Sequence, residues 1–339
     1  MKKYNFAVVG ALGNVGTEII SILENSSLPI KNLLLMDIAK KAGKKVRWRE
    51  KDYLVIESKP EAFKSVDIAI MSAGTEASLA LSPQAVDAGC VIIDNSTAFR
   101  MSPEHPLVIP EVNPDELEKH HGIIANPNCS TIQMLIALNP IHKRYIVKRV
   151  VVSTYQAVSG SGQAAVEELY GQVKAFVNKE DIRYEIYPHQ IAFNILPHID
   201  HFLENGYSKE EMKMIQETSK ILDPYIKMTA TTVRVPIATS HSESLNIETV
   251  KSFRIDDIKT LMASSPGVEL EDDLKNNVYP LALNASGKDA VFVGRIRRDY
   301  SIDNALNMWC VSDNLRKGAA LNAIQIAGEL VNRGLVRVP

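Results

Sequence analysis

Phe6-Ala7-Val8-Val9-Gly10-Ala11-Leu12-Gly13-Asn14-Val15-Gly16 is the stretch from which the fold of the first half follows. Four apolar residues read as a short buried strand, the glycines recur as Gly-x-x-Gly-x-x-Gly, and residues 15–23 carry helical spacing. Glycine at these points permits a tight turn, lets backbone approach a pyrophosphate, and packs helix against strand. The phosphates would then rest on the helix N-terminus, where unpaired N–H groups and the macrodipole favour an anion. A tight turn without a ligand is the alternative, and the strand–turn–helix context weighs against it. Gly10, Leu12, Gly13, Asn14, Val15 and Gly16 are therefore the expected dinucleotide contacts.

Leu33-Leu34-Leu35-Met36, Ile68-Ala69-Ile70-Met71 and Val91-Ile92-Ile93-Asp94 are further short strands, and residues 76–88 read as a helix that stops at Gly89. Strands this apolar are buried on both faces, as in a parallel sheet wrapped by helices. The expectation is an α/β protein with an N-terminal Rossmann-like, doubly wound domain. The second strand ends in Met36-Asp37, the place for a residue that contacts the adenosine ribose. An Asp there favours a free 2′-hydroxyl. Lys40, Lys41, Lys44 and Lys45 follow at once and carry the charge to neutralise a 2′-phosphate. The two signals conflict, and a solvated loop is the usual fate of such a run of lysines.

Asn126-Pro127-Asn128-Cys129-Ser130-Thr131 is the one sharp boundary, a turn leading into an apolar helical run over 132–138. A thiol at a helix N-terminus loses its proton more readily, and the thiolate is the reactive form. The alternative is an inert cysteine packed under a turn. Beyond this point the pattern becomes α+β. Residues 147–154 form a long β-branched strand, 163–177 are helical, and 208–222 are a charged amphipathic helix. Residues 229–236 and 243–250 look like paired strands of an antiparallel sheet, with 291–296 and 307–311 as two more. The apolar helix pattern of 315–331 is expected to return to the first domain. The domains read as 1–128, completed by 315–339, and 129–314.

Composition narrows the function classes. A chain of 339 residues supports two sizeable cores. A net charge of −2 with both signs mixed asks for neither nucleic acid nor an anionic membrane. No apolar run approaches the length of a bilayer span, and Met1-Lys2-Lys3-Tyr4 enters a strand with no signal-peptide core. Three scattered cysteines, Cys90, Cys129 and Cys310, make no disulfide framework. A reduced, cytoplasmic protein is expected.

Several polar segments accompany Cys129. Tyr155-Gln156-Ala157-Val158-Ser159-Gly160-Ser161-Gly162 is a turn where backbone can approach a ligand, and Gln156 offers both donor and acceptor. Arg234 and His241 lie seven residues apart across a Pro-containing corner. A histidine titrating near neutrality is a natural proton shuttle beside a thiolate, and Arg suits a carboxylate or phosphate. Alone, His241 reads as a satisfied histidine; with Cys129 and Arg234 it reads as catalytic. Arg100 ends the loop Asp94-Asn95-Ser96-Thr97-Ala98-Phe99-Arg100 at the carboxyl end of a parallel strand, where open sheets bind ligands. Glu210 and Lys213 share a helix face and read, unaided, as a solvated pair. His198 and His201 lack a second cluster with ligand spacing, so no metal site is expected.

These segments together resemble the aspartate-semialdehyde dehydrogenase family. The likeness is carried by the glycine loop, by residues 94–100, 126–131 and 155–162, and by Gln190-Ile191-Ala192-Phe193-Asn194 with Pro197-His198-Ile199-Asp200. Glu210-Glu211-Met212-Lys213, Glu217-Thr218 with 220–222, Arg234-Val235-Pro236 leading to His241, and residues 313–320 complete it. The resemblance implies reductive dephosphorylation of aspartyl 4-phosphate to aspartate 4-semialdehyde, through a cysteine thioester, toward lysine, diaminopimelate, threonine, methionine and isoleucine. It implies a homodimer or dimer of dimers, built through the second domain. Cys129 would be the nucleophile, His241 the acid–base, and Gln156 the group orienting the acyl intermediate. Arg234 would bind the substrate carboxylate, Glu210 its amino group, and Arg100 and Lys213 the phosphate. Asn314 would meet the nicotinamide end of the cofactor, with Ser159 and Gly160 beside it. The implied cofactor is NADP, with Lys40 the nearest basic residue to its 2′-phosphate. Asp37, where such members carry small or hydroxylated residues, leaves NAD open. An N-acetyl-glutamyl-phosphate reductase shares the chemistry but needs no acid for a free amine, and a non-catalytic dinucleotide sensor shares the fold.

Overall fold

Apolar runs too short for helices become parallel strands in the first of two units. The computed structural model describes residues 2–337; Met1 and the end of the 315–339 segment, at 338 and 339, lie outside the described residues. The chain divides into Met1–Asn128 with Ala319–Pro339, and Cys129–Gly318. In the first unit β1 (Tyr4–Val9) leads through the glycine loop to α1 (Asn14–Asn25) and β2 (Ile30–Asp37). A hairpin of β3 (Lys45–Trp48) and β4 (Lys51–Glu57) follows, then β5 (Ile68–Met71), α2 (Thr75–Asp87), β6 (Val91–Asp94) and β7 (Ile123–Ala125). The sheet order is β3-β4-β2-β1-β5-β6-β7, parallel except for the β3–β4 pair. The order reverses on either side of β1, the doubly wound arrangement.

Local chemistry accounts for these boundaries. Gly89 (φ +89°) ends α2, with its N–H on Val86 O and the Cys90 N–H on Ala85 O, a left-handed cap only glycine takes readily. Gly10 (φ +81°) is held at the tip of β1, and a Cβ there would overlap the Ser72 carbonyl. The β3–β4 hairpin was not read from the sequence. Its turn residues, Arg49 and Glu50, both adopt positive φ (45° and 63°) without the Asn-Gly signal such turns usually carry.

The second unit begins with α3 (Cys129–Tyr145) and β8 (Val147–Gln156), followed by α4 (Gln163–Asn178), α5 (Lys209–Ile221) and β9 (Lys227–Arg234). Then come β10 (His241–Thr249), α6 (Ile255–Ala263), β11 (Val268–Leu270), α7 (Ala282–Ala285), β12 (Val291–Asp299) and β13 (Ala305–Ser312). The sheet order is β11-β12-β13-β10-β8-β9. β9 and β10 are therefore not the antiparallel pair that their sequences suggest. β8 lies between them, parallel to β9 and antiparallel to β10. Six residues, with Pro236 among them, connect β9 to β10, so no tight hairpin forces them together. A π-helical turn, Arg316–Ala320, interrupts the long helix expected over 315–331, and α8 (Leu321–Asn332) then packs on α1 in the first unit. Among the described residues, no helix is long and apolar enough to cross a membrane.

α3 crosses β8, β10, β12 and β13, burying one face of the second sheet. An acid, Glu243, lies in that core. It is fully buried opposite Thr154 and Cys310, and neither of its oxygens has a hydrogen bond of good geometry. Burial pushes its pKa well above the usual carboxylate value, with the Gln133 side chain pulling the other way. The folded state thus holds a proton that the unfolded chain releases above about pH 4.3, so stability from this group falls as pH rises. Each unit of difference is worth about 1.4 kcal/mol. Glu243→Gln should raise the thermal midpoint more at about pH 8 than at about pH 5. An equal change at both pH values in parallel melts would show that the carboxyl is ionised in the folded protein.

Candidate active site

Three strand ends meet at one edge of the second sheet. β8 and β9 run in the same direction and finish at Gln156 and Arg234, which face each other in the register, while antiparallel β10 starts there at His241. All three side chains belong to buried residues. The chain turns after Gln156 into a 3₁₀ segment, Val158–Ser161, pinned by Val158 N–H on Ile237 O (2.9 Å) and Ser159 N–H on Ala238 O (3.1 Å).

Ala157 orients two of the three. Its N–H donates to His241 Nδ1 at 3.0 Å, and its carbonyl accepts from Arg234 Nη1 at 2.6 Å. A nitrogen that accepts carries no proton, so the neutral His241 ring holds its hydrogen on Nε2. Burial, then the Arg234 charge, push the His241 pKa well below its ordinary value of 6.5. His241 is accordingly a neutral ring with its donor at Nε2. A Cβ on Gly160 would stand 3.0 Å from Arg234 Nη1 and 3.4 Å from His241 Nε2, so the missing side chain is what lets the turn close over both groups. Asn314 Oδ1 accepts the Ser240 N–H (2.9 Å), and its Nδ2 donates to Ser159 Oγ (3.0 Å), tying that turn to the residue before His241. Ser240 is held at φ +72°, an uncommon conformation for a side-chain-bearing residue.

Glu210 and Lys213 are not the solvated pair that spacing alone suggests. Ser208 and Glu211 form a reciprocal capping box that starts α5, which places Glu210 in its first turn with only 5% of its surface exposed. Gln156 Nε2 donates to Glu210 Oε1 at 3.4 Å, and Lys213 Nζ donates to Glu210 Oε2 at 3.0 Å. The sequence-predicted residues Gln156, Ser159, Gly160, Glu210, Lys213, Arg234, His241 and Asn314 thus form one connected set.

Cys129 is the first residue of α3 and is half-buried. A Cβ on Gly318 would come within 2.9 Å of the Cys129 Cβ, so the π-helical turn packs its backbone directly behind the thiol. The other cysteines are sealed. Burial, with Asp67 nearby, pushes the Cys90 thiol up to about 12, and burial beside Glu243 pushes Cys310 well above 9.0. His198 stacks on Phe202 and His201 pairs with Asp200.

In the first unit, Gly13 caps α1 without a side-chain partner, which leaves the N-terminal amides of Asn14, Val15 and Gly16 to other acceptors. Asp37 is buried and accepts from the Leu12 N–H (2.9 Å) and Ile38 N–H (2.8 Å), so it braces the glycine loop against β2. The lysine that pairs with it is Lys41, at 3.4 Å, while Lys40 is exposed in the same turn. Arg100 is buried and donates through Nη2 to Asn95 O at 2.8 Å. The sequence reading missed Ala157, Gly318 and Glu243, which act through backbone, the lack of a side chain, and burial. Asp200 was within reach, since it lies in a segment already singled out.

Comparison with known proteins gives the family. Residues 5–120 match the family described as "Semialdehyde dehydrogenase, NAD binding domain", and residues 138–317 match "Semialdehyde dehydrogenase, dimerisation domain". The aspartate-semialdehyde dehydrogenase of Bacillus subtilis is 50% identical, covering 97% of this chain and 98% of its own. That of Aquifex aeolicus is 49% identical, covering 98% and 99%. The crystal structure of aspartate semialdehyde dehydrogenase II from Vibrio cholerae is 42% identical, with a TM-score of 0.95 over 98% of this chain and 99% of its own. The chain belongs to the aspartate-semialdehyde dehydrogenase family.

Proposed function

We propose that this chain reduces aspartyl 4-phosphate to aspartate 4-semialdehyde with release of phosphate, through a thioester on Cys129. The observation that carries the reading is the Ala157 turn. It collects a neutral imidazole and a buried guanidinium, while the adjoining Gln156 reaches a buried carboxylate. A buried carboxylate suits a substrate bearing a free ammonium group, which an N-acetylated substrate lacks.

Cys129 thiolate attacks the acyl carbon and expels phosphate, splitting one difficult step into two. Hydride for the thioester comes from the reduced nicotinamide when it is bound. The carbonyl oxygen gains charge at each addition, and the Nε2–H of His241 donates to it. Collapse of the resulting thiohemiacetal oxyanion returns the thiolate and frees the aldehyde. Arg234 holds the substrate carboxylate, Glu210 the ammonium and Gln156 the acyl group, with Arg100 and Lys213 receiving phosphate. The uncapped amides of α1 and the glycine loop from Gly10 to Gly16 fit a pyrophosphate. We assign NADP to that loop, with Lys40 near its 2′-phosphate, and Ser159, Gly160 and Asn314 to the nicotinamide end. The sheet face carrying half-exposed Val151, Tyr155, Ser244 and Trp309 is offered to a second copy, giving a homodimer. A biosynthetic enzyme of this kind works in the cytoplasm.

Phosphate-dependent oxidation of aspartate 4-semialdehyde, run in parallel with NADP and NAD, tests substrate and cofactor together. Cys129→Ala should lower kcat by at least ~10⁴-fold while cofactor binding persists. The unmodified protein should undergo a single rapid alkylation, which this variant should lose, because Cys90 and Cys310 are sealed. Comparable turnover in this variant would end the thioester mechanism.

His241→Asn should cost about 10²- to 10³-fold in kcat, the scale of one lost oxyanion donor. Because the ring stays neutral, the pH profile of kcat should lack an inflection at the ordinary histidine value of 6.5. An inflection there that vanishes in His241→Asn would mean that the imidazole titrates in the working enzyme.

A further inference from the structure

Lys213 is held from two sides. Its Nζ lies 3.0 Å from Glu210 Oε2 and 2.9 Å from Asp200 Oδ2, and its side chain is only 18% exposed. Burial alone would push the ammonium's pKa down, but the charges of Glu210 and Asp200 more than offset it and the pKa lies above its ordinary value. For Asp200, burial is likewise outweighed by the bond and charge of Lys213, and its pKa is lowered.

The placement of Asp200 is built in. Its loop follows Leu196, which exchanges backbone hydrogen bonds with Arg234 at 3.0 and 2.8 Å, so the loop is anchored to the end of β9. Asp200 itself adopts φ +67°, and its Oδ1 accepts the His201 N–H at 3.0 Å. Asp and Asn are the side-chain-bearing residues that tolerate this conformation best.

An ammonium has three N–H donors. Two are taken by carboxylates, which leaves one for an incoming anion and sets two negative charges against it. We propose that Asp200 is a positioning residue that weakens the grip of Lys213 on phosphate, so that the phosphate expelled from the substrate departs. This rests on the reading that Lys213 binds phosphate. Glu210, sharing the lysine with Asp200, keeps its other oxygen toward Gln156 and the substrate ammonium.

The probe is inorganic phosphate, in the oxidation of aspartate 4-semialdehyde by the full-length enzyme. Asp200→Asn keeps the local conformation and an acceptor but removes the charge. It should lower KM for phosphate by about 3- to 10-fold and strengthen product inhibition by phosphate in the reducing direction. KM for the semialdehyde should move less. Asp200→Glu keeps the charge and should return KM for phosphate toward the wild-type value. Lys213→Ala should raise it. If Lys213→Ala raises KM for phosphate and Asp200→Asn leaves it unchanged or higher, the role of Asp200 is overturned while the phosphate site stands. If Asp200→Glu shifts as far as Asp200→Asn, the effect is structural and the proposal also fails. If Lys213→Ala leaves KM for phosphate unchanged, the assignment of Lys213 itself is wrong. Asp200→Ser replaces the Asn variant should that one not fold.

Discussion

The site depends on the backbone of Ala157, whose N–H and carbonyl hold His241 and Arg234 in opposite senses. These groups belong to the two peptide planes that meet at the Ala157 Cα, so the φ and ψ of this one residue set where both partners are held. The carbonyl adds negative potential where a buried guanidinium needs it, and the N–H selects the histidine tautomer. Neither task falls to a titratable group, so the arrangement does not change with pH in the way that an Asp–His pair would. Gly160 completes it by leaving room where any side chain would push the imidazole and guanidinium apart.

That hub works only because of the order of strands. β8 lies between β9 and β10, so Gln156 stands between Arg234 and His241 along the sheet edge. Had β9 and β10 formed the hairpin that their sequences suggest, the arginine and histidine would be neighbours and Gln156 would be displaced from between them. Parallel pairing of β8 with β9 brings two chain ends to one edge. Antiparallel pairing with β10 makes a strand begin there. The mixed sheet thus sets the order of these three side chains, and the long crossover through α4 and α5 that parallel pairing demands also delivers Glu210 and Lys213.

What was legible in the sequence follows from the range of the interactions. Strands β1, β2, β5 and β6, the glycine loop and the start of α5 are written in residues within one turn of each other. Pairing of β8 between β9 and β10 is not, because several β-rich segments would satisfy the same alternation. The β3–β4 turn escaped because Arg49 and Glu50 adopt positive φ under tertiary constraint. Cys129, Gln156, Arg234 and His241 were legible as residue types suited to acyl chemistry. Glu210 and Lys213 were legible only through family resemblance, since an i, i+3 acid–base pair on a helix is ordinarily solvated. Ala157, Gly318 and Glu243 carry no reactive signature at all. One acts through its peptide, one by having no side chain, and one by burial.

Neutrality of the buried groups explains how the charges are divided. An imidazolium at His241 would set a second cation against Arg234 across the width of one glycine, in a place water does not reach; the ring therefore stays neutral. An ionised Glu243, two residues along the same strand face, would oppose a thiolate on the helix that crosses it; its carboxyl therefore keeps its proton. With both neutral, the charges left in this unit's site are Arg234, Lys213 and Glu210, with Asp200 behind them. In the proposed function Arg234 is assigned to the substrate carboxylate and Glu210 to its ammonium, while Lys213 is shared between Glu210 and Asp200. An equally buried ammonium without the second carboxylate would bind phosphate more tightly, but it would then hold the released product as well as the substrate. Sharing the charge sacrifices ground-state affinity that does nothing for the chemical step, which is the direction in which binding energy is best used.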